Sequence, residues 1–188
     1  MDPIVNYDAS FSHHVMPPYG HLHNFPKLPV ILYEQVLLLG DNAENEVKEL
    51  FEKNGWINAW TNGIFDYPHY HTTAHEVLAV IKGDCLLELG GPDGSIQKIL
   101  KGDVVVLPAG VVHRNAGSSE DFTVIGAYAN GQECDMNYGN EEKREKDEEN
   151  IKKVPLPGKD PVFADKGPII DYWLNENINE PIKEEKEF

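Results

Sequence analysis

The sequence has little cysteine, little positive charge and no long apolar run, and each shortage excludes a class of protein. Its two cysteines, Cys85 and Cys134, form neither a C-x-x-C pair nor a disulfide framework, which favours a reducing compartment. Lys and Arg number 16 against 32 Asp and Glu, and the net charge of −16 argues against a nucleic-acid partner. No apolar stretch reaches transmembrane length, and no signal-peptide pattern opens the sequence. We therefore expect a cytoplasmic protein with no nucleic-acid and no membrane partner.

The length and the texture of the chain predict one domain with two flanking segments. A chain of 188 residues can bury a full core, and no internal repeat divides it. Residues 1–30 are rich in Pro and His and predict an extended arm that lies over this barrel or a partner's. Residues 31–135 contain short β-branched and aromatic runs separated by turn residues, which predict a barrel or a sandwich. Residues 136–188 form an acidic, helical or irregular extension.

Local signals within these ranges predict individual elements. Val30–Leu39 is the first strand candidate, because it is rich in Val, Ile, Leu and Tyr. Asp41 or Asn42 can begin a short helix that Gly55 ends. Residues 140–153 form a helical pattern that is polar on nearly every side, which predicts a surface helix or a weakly ordered one.

Four metal-competent side chains form the most informative pattern in the sequence: His69, His71, Glu76 and His113. Successive side chains of a strand alternate in direction, so His69 and His71 point to one face. With a carboxylate from the next strand and a third imidazole from a later one, a β-barrel can hold a divalent metal in its interior. Such a ligand set leaves coordination positions open, so the site can bind a further molecule or do chemistry.

Fixed glycine and proline positions extend these residues into two motifs. The first reads G-(five)-H-x-H-(four)-E-(six)-G and is filled by Gly63, His69, His71, Glu76 and Gly83. The second reads G-(five)-P-x-G-(two)-H-(three)-N and is filled, up to its last place, by Gly102, Pro108, Gly110 and His113. Gly117 stands where the closing Asn belongs. Asn115 shares a face with His113 on a strand and is a candidate neighbour of the site.

The two motifs resemble the signature of the cupin superfamily. Asn54–Trp56, Val105–Gly110, Gly126–Tyr128 and Val154–Pro157 look like the YjlB-like branch of small single-domain cupins, and the likeness runs from about Leu28 to Trp173. The resemblance implies an all-β fold: a single jelly-roll barrel, or double-stranded β-helix, with a short N-terminal helix and a helical or irregular C-terminal extension. That branch carries no assigned reaction to transfer, so the resemblance implies the fold and leaves the substrate open.

The chemistry of the four candidate ligands restricts the cofactor. Imidazole and carboxylate ligands suit one divalent ion of Fe, Mn, Ni or Zn, and the absence of a thiolate argues against Cu(I) and iron–sulfur clusters. The leading hypothesis is a metal-dependent enzyme, of dioxygenase or of isomerase or lyase type, that acts on a small polar organic molecule. The alternative is a non-catalytic module that binds a small molecule. No catalytic acid or base is assigned. Cupin barrels often pair through a sheet face, so we also expect a homodimer.

Further histidines and aromatic residues are secondary candidates. His75 precedes Glu76 directly, so the two side chains should face opposite ways and only Glu76 should reach the metal. The histidines of the arm fit a loop better than a metal site; they are His13, His14, His21 and His23. The candidates for the pocket wall are aromatic: Trp60, Phe65, Tyr67 and Tyr128.

Overall fold

The computed structural model describes residues 2, 4–18, 24, 27–92 and 94–175. Within them the chain forms two antiparallel β-sheets, one α-helix before the third strand and one α-helix after the last strand. The strands are β1 (Ser10–His14), β2 (Val30–Glu34), β3 (Trp56–Asn62), β4 (Glu76–Lys82), β5 (Asp84–Leu89), β6 (Ser95–Leu100), β7 (Val104–Leu107), β8 (His113–Ser118) and β9 (Thr123–Ala129). The helices are α1 (Ala43–Lys53) and α2 (Arg144–Lys153). The all-β fold expected from the sequence is therefore confirmed.

The larger sheet has six strands in the order β1-β2-β7-β4-β9-β3, and the smaller has three in the order β6-β5-β8. An apolar core lies between the sheets, with Leu78 and Val105 from the larger and Cys85 and Leu87 from the smaller. Because side chains alternate along a strand, the neighbours of Leu78 point the other way. The interior face of β4 therefore begins with Glu76, which shares the direction of Leu78.

A second apolar core covers the outer face of the larger sheet. Val77 and Ala79 of β4 belong to it, together with Phe51 of α1 and Trp173 near the C-terminal end of the described chain. This arrangement explains why the central strands are apolar on both faces. Parts of the same chain cover both faces. The apolar surface that is buried on each face stabilises the fold by about 25 cal/mol per Å².

Helix α1 follows the signals of its sequence closely. It begins after Asn42 and ends before Asn54, and Gly55 then adopts a φ of 80°, which a residue without a Cβ tolerates best. The strand predicted over Val30–Leu39 is shorter than expected. It ends at Glu34, because Gln35 turns to a φ of 50° and its N–H donates to the Asp103 carboxylate.

The N-terminal residues contribute an edge strand to the larger sheet. β1 pairs antiparallel with β2, and it carries His13 and His14, so the prediction that these two histidines lie in a loop is wrong. The Pro-rich composition gave no sign of this strand, because its five residues lie between the prolines. His21 and His23 lie outside the described residues.

The C-terminal residues pack against the sheets in two places. Helix α2 is polar but docked, with Asp147 and Ile151 buried. Further on, a π-helical turn at Ile170–Leu174 buries Trp173, whose indole N–H donates to the Pro29 carbonyl at 3.0 Å. Among the described residues, no helix combines the length and the apolar character needed to cross a membrane.

Candidate metal centre

The structure brings the three motif histidines together in the interior. His69 and His113 pair across two short strand segments, since the His69 N–H donates to the His113 carbonyl at 3.2 Å and the reverse bond measures 2.9 Å. His71 follows two residues after His69. One ligating nitrogen from each of the three lies within 4.8 Å of the others, and all three side chains are buried. Imidazole nitrogens bind zinc at about 2.0–2.1 Å, so a cluster of this size suits one ion.

The hydrogen bonds of the three rings fix which nitrogen faces the centre. The Nδ1 atom of His69 contacts the Tyr67 carbonyl at 3.0 Å, that of His113 contacts the Val111 carbonyl at 3.0 Å, and that of His71 contacts the Asp135 carbonyl. A carbonyl oxygen only accepts, so each Nδ1 carries the proton. The Nε2 lone pairs are therefore available to a cation, which is the arrangement that metal-binding histidines adopt.

Glu76 provides the negative charge of the cluster. It is the first residue of β4 and is 3% exposed. Its Oε2 atom lies 3.4 Å from the Nε2 atom of His71 and 3.5 Å from that of His113. Burial alone would raise the pKa of Glu76, but the two imidazoles outweigh it and hold that pKa well below its usual range. The site therefore presents a carboxylate at neutral pH.

His69 and His71 differ in the direction in which their surroundings shift the pKa of the ring. Burial, followed by the neighbouring His113 ring, lowers the pKa of His69 to about 3. Burial also acts to lower the pKa of His71, but the Glu76 carboxylate reverses the direction and the pKa is raised. The His69 ring is thus neutral throughout the physiological range, and the Glu76 carboxylate is the group that offsets the burial of His71.

A short loop after β9 supports the segment that carries His69 and His71, which we call the ligand segment. The Asp135 carboxylate accepts from the backbone N–H of Thr72 at 2.6 Å, from the side-chain amide of Asn137 at 2.8 Å and from the Thr72 and Thr73 hydroxyls. The carbonyl of the same residue accepts from His71. Burial would raise the pKa of Asp135, but these donors hold it below its usual value. One residue thus joins the loop to the ligand segment at both its backbone and its side chain.

Helix α2 supports the same segment from the other side. Tyr70 points away from its two histidine neighbours and donates its hydroxyl to Asp147 at 2.7 Å. The Asn150 amide donates to the Thr72 hydroxyl at 3.2 Å. Ile151 packs on Gly110, where an added Cβ would lie 2.7 Å from the Ile151 Cδ1 atom. Gly110 also has a φ of 89°, so the second motif has Gly where both the backbone conformation and the close contact with α2 favour it.

The histidines and Glu76 form the floor of an open cavity of about 250 Å³. Its walls include three of the four aromatic residues predicted from the sequence, namely Trp60, Phe65 and Tyr128, and also Met136. The fourth, Tyr67, lies against His69 with ring centroids 5.7 Å apart. The cavity thus joins a polar floor to a largely apolar and aromatic wall.

Tyr128 and Cys134 form a small polar group beside the floor. The Tyr128 ring lies 6.1 Å from the His71 ring, and its hydroxyl accepts from the Trp60 indole N–H at 3.1 Å. Burial, followed by the Glu76 charge, raises the pKa of Tyr128 far above its ordinary value, and burial raises that of Cys134. Both groups are protonated at neutral pH, and Tyr128 is the one of the two that lines the cavity.

The remaining sequence candidates lie apart from the cluster. The His75 ring faces the outer core, 4.9 Å from the Trp173 ring, and its Nδ1 accepts from the Ala109 N–H at 3.0 Å. Burial lowers the pKa of His75 to about 4. The Asn115 side chain bonds to Ser118 and to the Gly117 N–H, so it stabilises a local turn. His13 stacks on Tyr172 with ring centroids 4.4 Å apart.

Sequence reasoning missed the residues that hold the proposed metal ligands in place. Asp135 and Asp147 are separated from their partners Thr72 and Tyr70 by more than sixty residues, so no local spacing pairs them. The available signal was the position of Tyr70, because a residue between two inward-facing histidines must face outward and a buried Tyr hydroxyl needs a partner.

The fold and the site together define a cupin: two facing antiparallel sheets with inward histidines at the open end. The family model described as Cupin matches residues 56–135. The uncharacterized protein YjlB of Bacillus subtilis strain 168 is 37% identical over 158 residues, which span 84% of this chain and 93% of that protein. The chain belongs to the YjlB-like cupins, as the sequence motifs predicted.

Solved structures are similar only at low levels. An acireductone dioxygenase from Bacillus anthracis is 16% identical with a TM-score of 0.35, and the match covers 50% of this chain and 68% of that chain. A dTDP-6-deoxy-D-glucose-3,5-epimerase from Legionella pneumophila is 14% identical with a TM-score of 0.28, over 69% and 73% of the two chains. These likenesses do not bear on the substrate.

Proposed function

We propose that this protein is a metal-dependent enzyme whose ion is held by His69, His71, Glu76 and His113. The observation that carries the proposal is the convergence of three Nε2 lone pairs, each fixed by a proton on Nδ1, beside a buried carboxylate. Neutral imidazoles with one carboxylate suit Fe, Mn, Ni or Zn. A divalent ion bound there supplies Lewis-acid chemistry, or oxygen activation where it is redox active.

The other residues of the site have separate roles in this proposal. The Asp135 carbonyl and the two further backbone carbonyls orient the rings. The aromatic wall excludes water from the floor and orients a small organic molecule, and the Tyr128 hydroxyl donates a hydrogen bond to it. Since Tyr128 stays protonated at neutral pH, its part is to orient a ligand and not to accept a proton.

A non-catalytic binding module is the second candidate. It is favoured by one observation: apart from the four proposed ligands, the described residues that line the cavity include no Asp, Glu, Lys, Arg or His to act as an acid or a base. The two candidates differ in the need for the ion. A binding module retains affinity for its ligand in at least some metal-free preparations, whereas the enzyme loses turnover when His71 or His113 becomes alanine while its fold persists.

Elemental analysis tests the metal site. We expect about one Fe, Mn, Ni or Zn per wild-type chain and none in the His71→Ala/His113→Ala double variant, because two lost ligands leave too few donors to hold an ion. His75→Asn is the matched control and should keep the metal. The side-chain oxygen of the asparagine can still accept a hydrogen bond from the Ala109 N–H. A second control, His13→Ala, measures adventitious binding on β1. Equal metal in the wild type and the folded double variant would overturn the proposed site.

A further inference from the structure

Three exposed aromatic side chains stand together beside the cavity mouth. Phe65 is 48% exposed, Tyr67 is 38% exposed and Tyr138 is 58% exposed. Single exposed apolar residues are normal on a protein surface, but a contiguous group of them marks a binding surface. We call these three residues the aromatic rim.

The rings of the aromatic rim contact one another and the proposed metal site. The Phe65 and Tyr67 centroids are 4.9 Å apart with the planes at 20°, and Tyr67 and Tyr138 are 5.6 Å apart. The Phe65 ring meets His69 nearly at right angles, with centroids 5.4 Å apart. Phe65 also lines the cavity, so it connects the rim to His69 in the cavity floor.

The backbone that carries the aromatic rim is held in place by hydrogen bonds. The Asn115 N–H of β8 donates to the Phe65 carbonyl at 2.8 Å. On the other side, Tyr70 and Asn137 exchange two backbone bonds of 3.0 Å each, which holds the segment that leads to Tyr138. The rim is thus part of the built structure, and its rings are already positioned before a ligand arrives.

The inner wall presents a further aromatic residue, Trp60. It lies on the backbone of β9, where a Cβ added at Gly126 would meet the Trp60 Cζ2 atom at 2.1 Å. Its indole N–H is engaged by Tyr128. Packing from behind and a hydrogen bond at the edge hold this ring firmly against the strand.

Charge and size restrict what the cavity can receive. None of the described lining residues is Lys or Arg, so these residues provide no side-chain cation to bind a phosphate or a second carboxylate. The volume of about 250 Å³ exceeds the cavity of about 150 Å³ that holds benzene and falls below the usual range for drug-sized ligands. One substituted ring fits, and a larger molecule would extend over the aromatic rim.

We propose that the substrate of this site carries a flat aromatic or conjugated ring, which lies against Phe65 and Trp60 while an oxygen-donor group points to the histidines. This inference rests on the proposed function, since the ion is the partner of the oxygen group. It disfavours phosphorylated sugars and nucleotides as the substrate class, because no Lys or Arg among the described lining residues would share the phosphate charge with the proposed ion.

Two hydroxamates with the same chelating group test the inference on zinc-loaded protein, where the readout is binding rather than turnover. We expect isothermal titration calorimetry to give at least about tenfold tighter binding of benzohydroxamate than of acetohydroxamate. Phe65→Ala should remove most of that preference, and Phe65→Leu should remove part of it because the apolar volume remains. Phe11→Ala, which removes an aromatic side chain of similar exposure on β1, should preserve it.

The outcomes separate the two proposals, because the zinc content is measured before each titration. If the protein holds zinc but binds both hydroxamates equally, or binds neither, the ring preference is wrong and the metal site stands. The ring preference is equally wrong if Phe65→Ala keeps the full preference for benzohydroxamate. If wild-type protein holds no zinc, the metal site fails and this inference fails with it.

Discussion

Replacing Asp160 with alanine is expected to lower the free energy of unfolding by about 3–5 kcal/mol. Asp160 is fully buried and accepts from Tyr33 in β2 at 2.6 Å. Its carboxylate also accepts three backbone N–H groups at 2.9–3.1 Å, those of Val162, Phe163 and Ile169. Removal leaves three buried donors and the part-buried Phe163 N–H without this acceptor, at a cost of about 1–3 kcal/mol for a typical buried one. It also loosens the segment that buries Trp173 against the outer core.

Urea unfolding followed by circular dichroism measures this effect. With a slope of about 1–3 kcal/mol per molar urea, the midpoint should fall by roughly 2 M. Asp160→Asn retains one acceptor oxygen and should lose less. Asp165→Ala removes an exposed carboxylate nearby and should change stability by no more than about 0.5 kcal/mol. An Asp160→Ala variant as stable as Asp165→Ala would show that the C-terminal segment is not fastened through this carboxylate.

Replacing Asp135 with alanine is expected to weaken metal binding by about 10–100-fold while the fold is retained. All four proposed ligands remain in this variant. What is lost is the set of hydrogen bonds from Thr72 and Thr73 that holds the loop against the ligand segment, together with the Asn137 bond within the loop. The carbonyl that orients His71 then moves with its loop, so the Nε2 lone pair is less well directed.

Competition against a chelator of known affinity, with zinc as the probe, measures the dissociation constant in each variant. Asp135→Asn keeps an acceptor for the Thr72 N–H and should lie between the wild type and Asp135→Ala. The neighbouring exposed residue offers the control Glu133→Ala, which removes one negative charge without these bonds and should bind zinc as the wild type does. Unchanged affinity in Asp135→Ala would mean that the orientation of His71 does not depend on this loop.

The homodimer expected from the sequence stays a prediction. Its motivation was that cupin barrels often pair through a sheet face. In the structure, α1 and the segment that contains Trp173 cover the outer face within the same chain. Sedimentation at micromolar concentration decides the question: a dimer mass supports pairing through another surface, and a monomer mass contradicts it.

The fold was predictable because its signals are local. The short strands and the Gly55 end of α1 each depend on a few adjacent residues. The sequence predictions were wrong where a contact with a residue far along the chain outweighed the local signal. The proline-rich arm holds β1 because β2 offers it an edge to pair with. The predicted first strand stops at Glu34 because the carboxylate of Asp103, far along the chain, accepts a hydrogen bond from the N–H of Gln35.

The sequence by itself determined the family, the all-β fold and the candidate ligands His69, His71, Glu76 and His113, because alternation along strands and fixed glycine spacing are properties of the chain alone. Only the tertiary structure decided which nitrogen of each ring faces inward, that His75 packs on Trp173, and that Asp135 and Asp147 hold the ligand segment. It alone also gathered Phe65, Tyr67 and Tyr138 into one rim. The physical reason is that these contacts join residues far apart in the chain, and their pairing follows from how the sheets and loops close in space.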